Sequence, residues 1–154
     1  MSAFRTVTLR TTVTVTATAY EANDNIGGKL TIPAPEIGVI DSVRIVDQAA
    51  QAAAMDVVFF YDNPSGTTFT DETAQDMADA DLGKTIGHVG VTSGDYSTFA
   101  DNSIATVANI GLPYTIDVKG QNGACNMYVA LVARGTPTFA ATTDLELAIG
   151  IIVP

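Results

Sequence analysis

His88 and Cys125 are the only imidazole and the only thiol in this 154-residue chain. One of each leaves a transition-metal site dependent on carboxylates. A cysteine-based zinc site and an internal disulfide are both excluded. His88 stands in Thr85–Val91, TIGHVGV, and no Gly-x-Ser-x-Gly turn occurs to give it a serine nucleophile. It reads as a surface or interface residue. Cys125 has no basic residue nearer in sequence than Lys119 to lower its pKa, so it reads as a small buried hydrophobe.

The carboxylates are denser. Asp62, Asp71, Glu72, Asp76, Asp79 and Asp81 fall within twenty positions. A calcium ion takes six to eight such oxygens, but the spacing lacks the EF-hand pattern and its closing Glu. These acids read as the solvated face of a helix. Residues 78–85, ADADLGKT, approach the phosphate-binding pattern GxxxxGK[ST]. Ala78 replaces the first glycine, a helix is expected where the motif needs a strand, and two acids inside the loop repel phosphate. We therefore expect no catalytic residue, no metal and no cofactor.

The bulk chemistry agrees with a scaffold. The chain is 47% hydrophobic, only 16% charged, and carries a net charge of −10. An acidic domain repels phosphate backbones and anionic lipid, which disfavours nucleic acid and membrane as partners. Low charge with many Thr and Ala suggests a surface covered by other subunits. The absence of tryptophan argues against a lectin platform. No stretch nears the ~20 apolar residues of a membrane span. MSAFRTVTLRTT lacks an apolar core, so we expect no signal peptide and synthesis in the cytoplasm.

The elements that would carry these residues are strands. Met55–Tyr61, MDVVFFY, is the densest apolar run, and Asp62-Asn63-Pro64 ends it, which predicts a buried central strand. Residues 6–19 alternate Thr with Val, Leu and Ala, the period of a half-buried strand. At about 13 residues it exceeds the usual ~5–6, so it is either bent or an arm reaching beyond its own domain. Arg5 and Arg10 are its only charges, and no acid precedes Glu21. Further strands are expected at 29–32, 39–46, 85–91, 96–99, 104–107, 114–118, 126–133 and 145–153. Asp47–Ala54 is expected to turn, and Asn122-Gly123 to make a hairpin turn. Thr70 as N-cap with Asp71 and Glu72 behind it predicts one short helix over 71–80, ended by Gly83. The sum is one all-β domain over 1–154, an antiparallel β-sandwich of jelly-roll type, with residues 1–12 as an N-terminal arm or extended strand.

Several stretches in order resemble a family of small virion proteins of tailed bacteriophages, encoded near the major capsid protein. They are Tyr20 with Asp24–Gly28, Ser42–Asp47, Asp56–Pro64, Thr70–Glu72, Tyr128–Thr138 and Asp144-Leu145. Asn23 stands where the pattern has glycine. The resemblance spans roughly residues 18–152. It implies a structural role on the outer head surface as a decoration or cement protein, with the major capsid protein and further copies of itself as partners, as a homotrimer. It also implies a place on the capsid surface of the virion. A head-fibre base, neck or tail component is the alternative within the virion. A soluble jelly-roll binding module or small enzyme is the alternative outside it. The contact candidates are Phe4, Arg5, Val7, Leu9 and Arg10, on the Thr-rich strand that could add to a neighbouring sheet edge.

Overall fold

The apolar run at 55–60 becomes an inner strand because both of its faces have somewhere to go. The computed structural model describes residues 3–154, so Met1 and Ser2 of the expected N-terminal arm lie outside it. The strands are β1 (Arg5–Val13), β2 (Asn25–Pro33), β3 (Ile37–Asp47), β4 (Met55–Phe60), β5 (Thr85–Val91), β6 (Tyr96–Thr98), β7 (Ser103–Val107), β8 (Leu112–Thr115), β9 (Asn126–Ala133) and β10 (Leu145–Val153). The helix α1 is Asp79–Leu82. Sheet 1 runs β1-β10-β3-β7-β6, with β8 also on β3; sheet 2 runs β2-β9-β4-β5. Every strand pair is antiparallel. The orders β1-β10-β3-β7 and β2-β9-β4-β5, facing each other, are the double Greek key of a jelly roll.

The core lies between the sheets. Val43, Ile45, Leu147, Ile149 and Ile151 meet Met55, Val57, Phe59, Val129 and Leu131 there. Each comes from an alternating position, as the two-residue period requires. β9 is buried on both faces. Its outward side chains Tyr128 and Ala130 join Phe60 in a second small cluster under Val58, Phe69 and Met77. The segment between β4 and β5 thus acts as a cover over sheet 2.

Sheet 1 carries a seam. β8 pairs with β3 over Ile37–Ile40 and β7 pairs with it over Val43–Asp47. Between them the Ile110 N–H donates to the Asp41 carbonyl at 3.0 Å. On the opposite side of β3 the register with β10 shifts between Gly150 and Ile151.

Four expectations change. The strand expected over 6–19 ends at Val13. Beyond it the Val15 N–H donates to Thr142 O and the Thr16 N–H to the Tyr20 hydroxyl, drawing the chain off the sheet and over the end of the sandwich. The strand expected at 29–32 starts earlier, at Asn25, through a bulge at Gly27 and Gly28, both at positive φ. A side chain at Gly27 would strike Val13 Cγ1 at 2.3 Å. The short helix forms only at the far end of the expected segment, Asp79–Leu82. Asn122-Gly123 turns with φ of 55° and 86° but joins no hairpin, because β8 and β9 lie in different sheets. The Asp47–Ala54 segment is a turn. The Asp47 carboxylate accepts from the Ala49 and Ala52 N–H groups, each at 2.9 Å, and Ala50 and Ala52 take positive φ, which a helix forbids.

Phe59 is fully buried, so Phe59→Ala is expected to destabilise the fold by about 3–5 kcal/mol. The Tyr114 hydroxyl is buried without a partner among the described residues. Tyr114→Phe removes an unsatisfied donor and is expected to raise stability by about 1 kcal/mol. Urea unfolding of both variants checks the pair.

Candidate functional site

The acidic segment does structural work. Asp71 Oδ1 accepts from the Tyr20 hydroxyl at 2.8 Å and from the Gly27 N–H at 2.7 Å. Burial, with Asp71 beside it, pushes the Tyr20 phenol up to about 12. Asn25 is fully buried; its Nδ2 donates to Gln75 Oε1 at 3.0 Å and its Oδ1 accepts from the Gly28 N–H at 2.7 Å. The backbone N–H groups of Glu72 and Gln75 donate to Asn25 O and Asn23 O. These bonds hold residues 71–75 as a turn against the start of β2, with Glu72 at positive φ, which is why no helix begins at Thr70.

Asp81, buried to 1% exposure, accepts from Thr67 Oγ1 at 2.7 Å and from Lys84 Nζ at 2.9 Å, and Lys84 Nζ also donates to Asn63 O at 3.0 Å. The lysine of the phosphate-loop look-alike is therefore an internal clamp. The hydrogen bond from Lys84 pulls the Asp81 carboxyl below its ordinary value, burial pushes against it, and Thr67 and the Gly66 N–H add to the lowering. The same bond raises Lys84. Among the described residues, no three His, Cys, Asp or Glu side chains are placed to hold one metal ion. No helix among them is long and apolar enough to cross a membrane.

His88 is exposed on β5, opposite Val58 of β4. It lines a groove of about 480 Å³ on the outside of sheet 2 with Met77, Leu82 and Val132. At one end Arg134 Nε meets Asp56 Oδ2 at 2.8 Å, and Arg134 also donates to the Asn23 side chain. Cys125 is half-buried and its thiol donates to Ala34 O at 3.0 Å. Burial first, and Glu36 second, push that thiol up, so it stays protonated. His88 and Cys125 share no site, since they lie at different ends of this arrangement: β5 for one, the Ala34 carbonyl for the other.

The five contact candidates fall together around β1. Arg5–Val13 is bonded to β10 along its whole length, so this stretch takes the extended-strand form of the two forms expected. Val7 and Leu9 face inward and pack on the core. Phe4 is 78% exposed, and Arg5 and Arg10 are exposed, with Arg10 reaching Glu146 at 3.6 Å. β1 is the outermost strand of sheet 1. Among the described residues, no backbone bond joins residues 5–12 to any strand but β10.

Two neighbours of β1 escaped the sequence reading. Arg10 pairs with Ala148, and Ala148 with Arg44, so both guanidinium groups share one row across three strands of the outer face. Lower on the same face, Phe4, Ile152, Pro154, Val39, Pro113 and Ile37 line an apolar groove of about 480 Å³. Ile37 is 53% exposed there. No sequence spacing links these residues, because strand order alone brings them together. The outer face of sheet 1 thus carries two arginines, one of them paired with Glu146, beside an apolar groove, while the acid-bearing segment covers sheet 2.

No family model matches this chain, and no curated protein matches it. Twelve chains of solved structures match. One, a recombinantly expressed latent aurone synthase (polyphenol oxidase), is 16% identical at a TM-score of 0.32, covering 86% of this chain and 25% of that one. The chain spans about a quarter of that protein's length, and a likeness this small carries no argument. What the geometry itself defines is a jelly-roll sandwich with one bare outer face, crossed by the Arg10–Ala148–Arg44 row, and one face under an acid-bearing cover.

The Asp81–Lys84 pair yields a pH dependence. Its contribution is complete above the unfolded carboxyl pKa of 3.8 and fades as pH falls from there through the lower folded value. It is likewise complete below 10.5 and fades as pH rises through the higher folded value of Lys84. Asp81→Asn is expected to lower stability by about 2–3 kcal/mol at pH 7 and by little near the acid end. Urea unfolding of parent and variant at pH 7 and in acid compares the two.

Proposed function

We propose that this protein is a structural component of a tailed-phage head. It binds the outer surface of the capsid lattice, with the major capsid protein as partner, and acts by contact and not by catalysis. The observation that carries the reading is the opposition of faces. The outer face of sheet 1 sets the Arg10–Ala148–Arg44 row beside the Phe4–Ile37 groove. The segment on sheet 2 presents Asp76 and Asp79 to solvent. On a chain of net charge −10, the Arg10–Arg44 row is where an acidic lattice would dock, and the acids of the cover then point outward. The order of motifs shared with phage head proteins supports the same assignment. The protein is made in the host cytoplasm and works on the virion surface, where repeated weak contacts over a symmetric lattice add by avidity.

Quantitative mass spectrometry of purified heads tests this. About one copy per capsid subunit is expected. A ratio hundreds of times lower would move the protein to a fibre base, neck or tail, and its absence would end the proposal. In a reconstitution with heads lacking the protein, Arg10→Glu with Arg44→Glu is expected to lower bound copies about ten-fold, and more salt to weaken the parent.

A further inference from the structure

We infer that β1 pairs antiparallel with β1 of a second copy, about a two-fold axis at Thr8, so that sheet 1 runs unbroken from one chain into the next. The inference stands on the strand edge and holds wherever the protein works.

Soluble β-proteins protect their edges with short strands, bulges, prolines or inward charges. The other edges here are protected in these ways. β6 has three residues. β2 is bulged at Gly27–Gly28 and ends in Pro33. β5 is interrupted by Gly87 and Gly90 and by a register shift opposite Phe59–Phe60. β1 has nine residues without a proline, and its pairing with β10 runs without a shift. Of its inward positions Val7 and Leu9 are apolar and the one charge, Arg5, sits at the exposed end of the strand; no acid lies on it. One flank of this long, regular ladder offers unpaired N–H and C=O groups.

The sequence of β1 fits its own reverse. With Thr8 opposite the partner's Thr8, Val7 meets the partner's Leu9 on the inner face, and Leu9 meets the partner's Val7. On the outer face Thr6 meets the partner's Arg10. A slip of the pairing sum by one residue would set inward side chains against outward ones. Centring on Arg5 or Arg10 would place like charges directly opposite, which is destabilising. Centring on Leu9 would carry the pairing to Val13, where β2 closes over the edge at Gly27. The Thr8 register avoids all three.

Charge selects the same partner. No acid precedes Glu21, and Asp71, Asp76 and Asp79 belong to the cover on the other sheet. Two chains of net charge −10 therefore meet with least repulsion along the strand that holds Arg5 and Arg10. An axis perpendicular to the sheet keeps both outer faces on one side, so the two Arg10–Arg44 rows lie on the same surface, staggered by four residues. This pairing closes as a dimer, in place of the trimer that the family resemblance implies.

Sedimentation velocity over a concentration series tests it with the full chain, Thr8→Lys and Thr8→Cys. The parent mass is expected to rise from 16.0 kDa to twice that value. Thr8 is exposed, so Thr8→Lys should keep its melting temperature at high dilution yet weaken association about five-fold. Under mild oxidation Thr8→Cys should form a reducible dimer that neither the parent, with Cys125, nor Thr31→Cys on β2 forms. A monomer at every concentration, a trimer, or an oligomer indifferent to Thr8→Lys would overturn the pairing. Adding the parent to heads separates the two proposals: dimers that ignore heads end the capsid reading alone, and monomers that coat heads end the pairing alone.

Discussion

The constraint on which the rest depends is that β9 is apolar on both faces. Met127, Val129 and Leu131 fill the space between the sheets, while Tyr128 and Ala130 point the other way and are equally buried. A strand buried on both faces needs a layer on each side. Sheet 1 is one layer. The other is the long connection from β4 to β5, which polar contacts tie to the start of β2 and close on itself. Asp71 ties it to Tyr20 and Gly27, Asn25 ties it through Gln75, and the Asp81–Lys84 pair closes it on itself. Asp71 and Asp81, expected on the solvated face of a helix, are instead fastenings of a cover.

That origin separates the two outer faces in character. The cover gives sheet 2 a polar, acidic exterior. Sheet 1 has no cover and shows its own alternate side chains to solvent: Thr on β1, Glu146 and Ile152 on β10, Arg44 on β3. A net charge of −10 hides this division, because it sums over both. The position of two arginines, Arg10 and Arg44, matters more for recognition here than the total.

Local pattern made much of the fold legible. The run Met55–Tyr61, the Thr/Val alternation before Val13 and the strand at 126–133 all rest on neighbours in sequence, and each became a strand. The turn at Asp47–Ala54 was legible too, since an Asp side chain that can bond the N–H groups ahead of it competes with a helix. The expected helix over 71–80 failed for the opposite reason. Its cap and its acids are good helix-starting chemistry, but Asp71 is engaged by residues some fifty positions earlier, a contact no local pattern records. The contact candidates Val7, Leu9 and Arg10 were legible as one strand with two faces. That this strand is an edge, and that Arg44 and Ile37 share its surface, follows from strand order. Strand order is set by packing between distant segments.

The seam in sheet 1 has a mechanical consequence. β3 is answered on one side by two short ladders, from β8 and β7, that meet at Asp41, and on the other side the β10 ladder breaks at Gly150 in the same row. A side chain at Gly150 would lie 2.2 Å from Ser42 Oγ, so the glycine leaves room for the serine that folds over it. Sheet 1 is therefore creased across β3, β7 and β8, while the β1–β10 ladder crosses the same row unbroken and braces it. Bending about that crease disturbs few bonds on β3 and is resisted mainly by the β1–β10 ladder, whereas bending elsewhere strains several ladders. A surface built this way can follow a curved support by changing one angle while the side chains on each side of the crease keep their spacing.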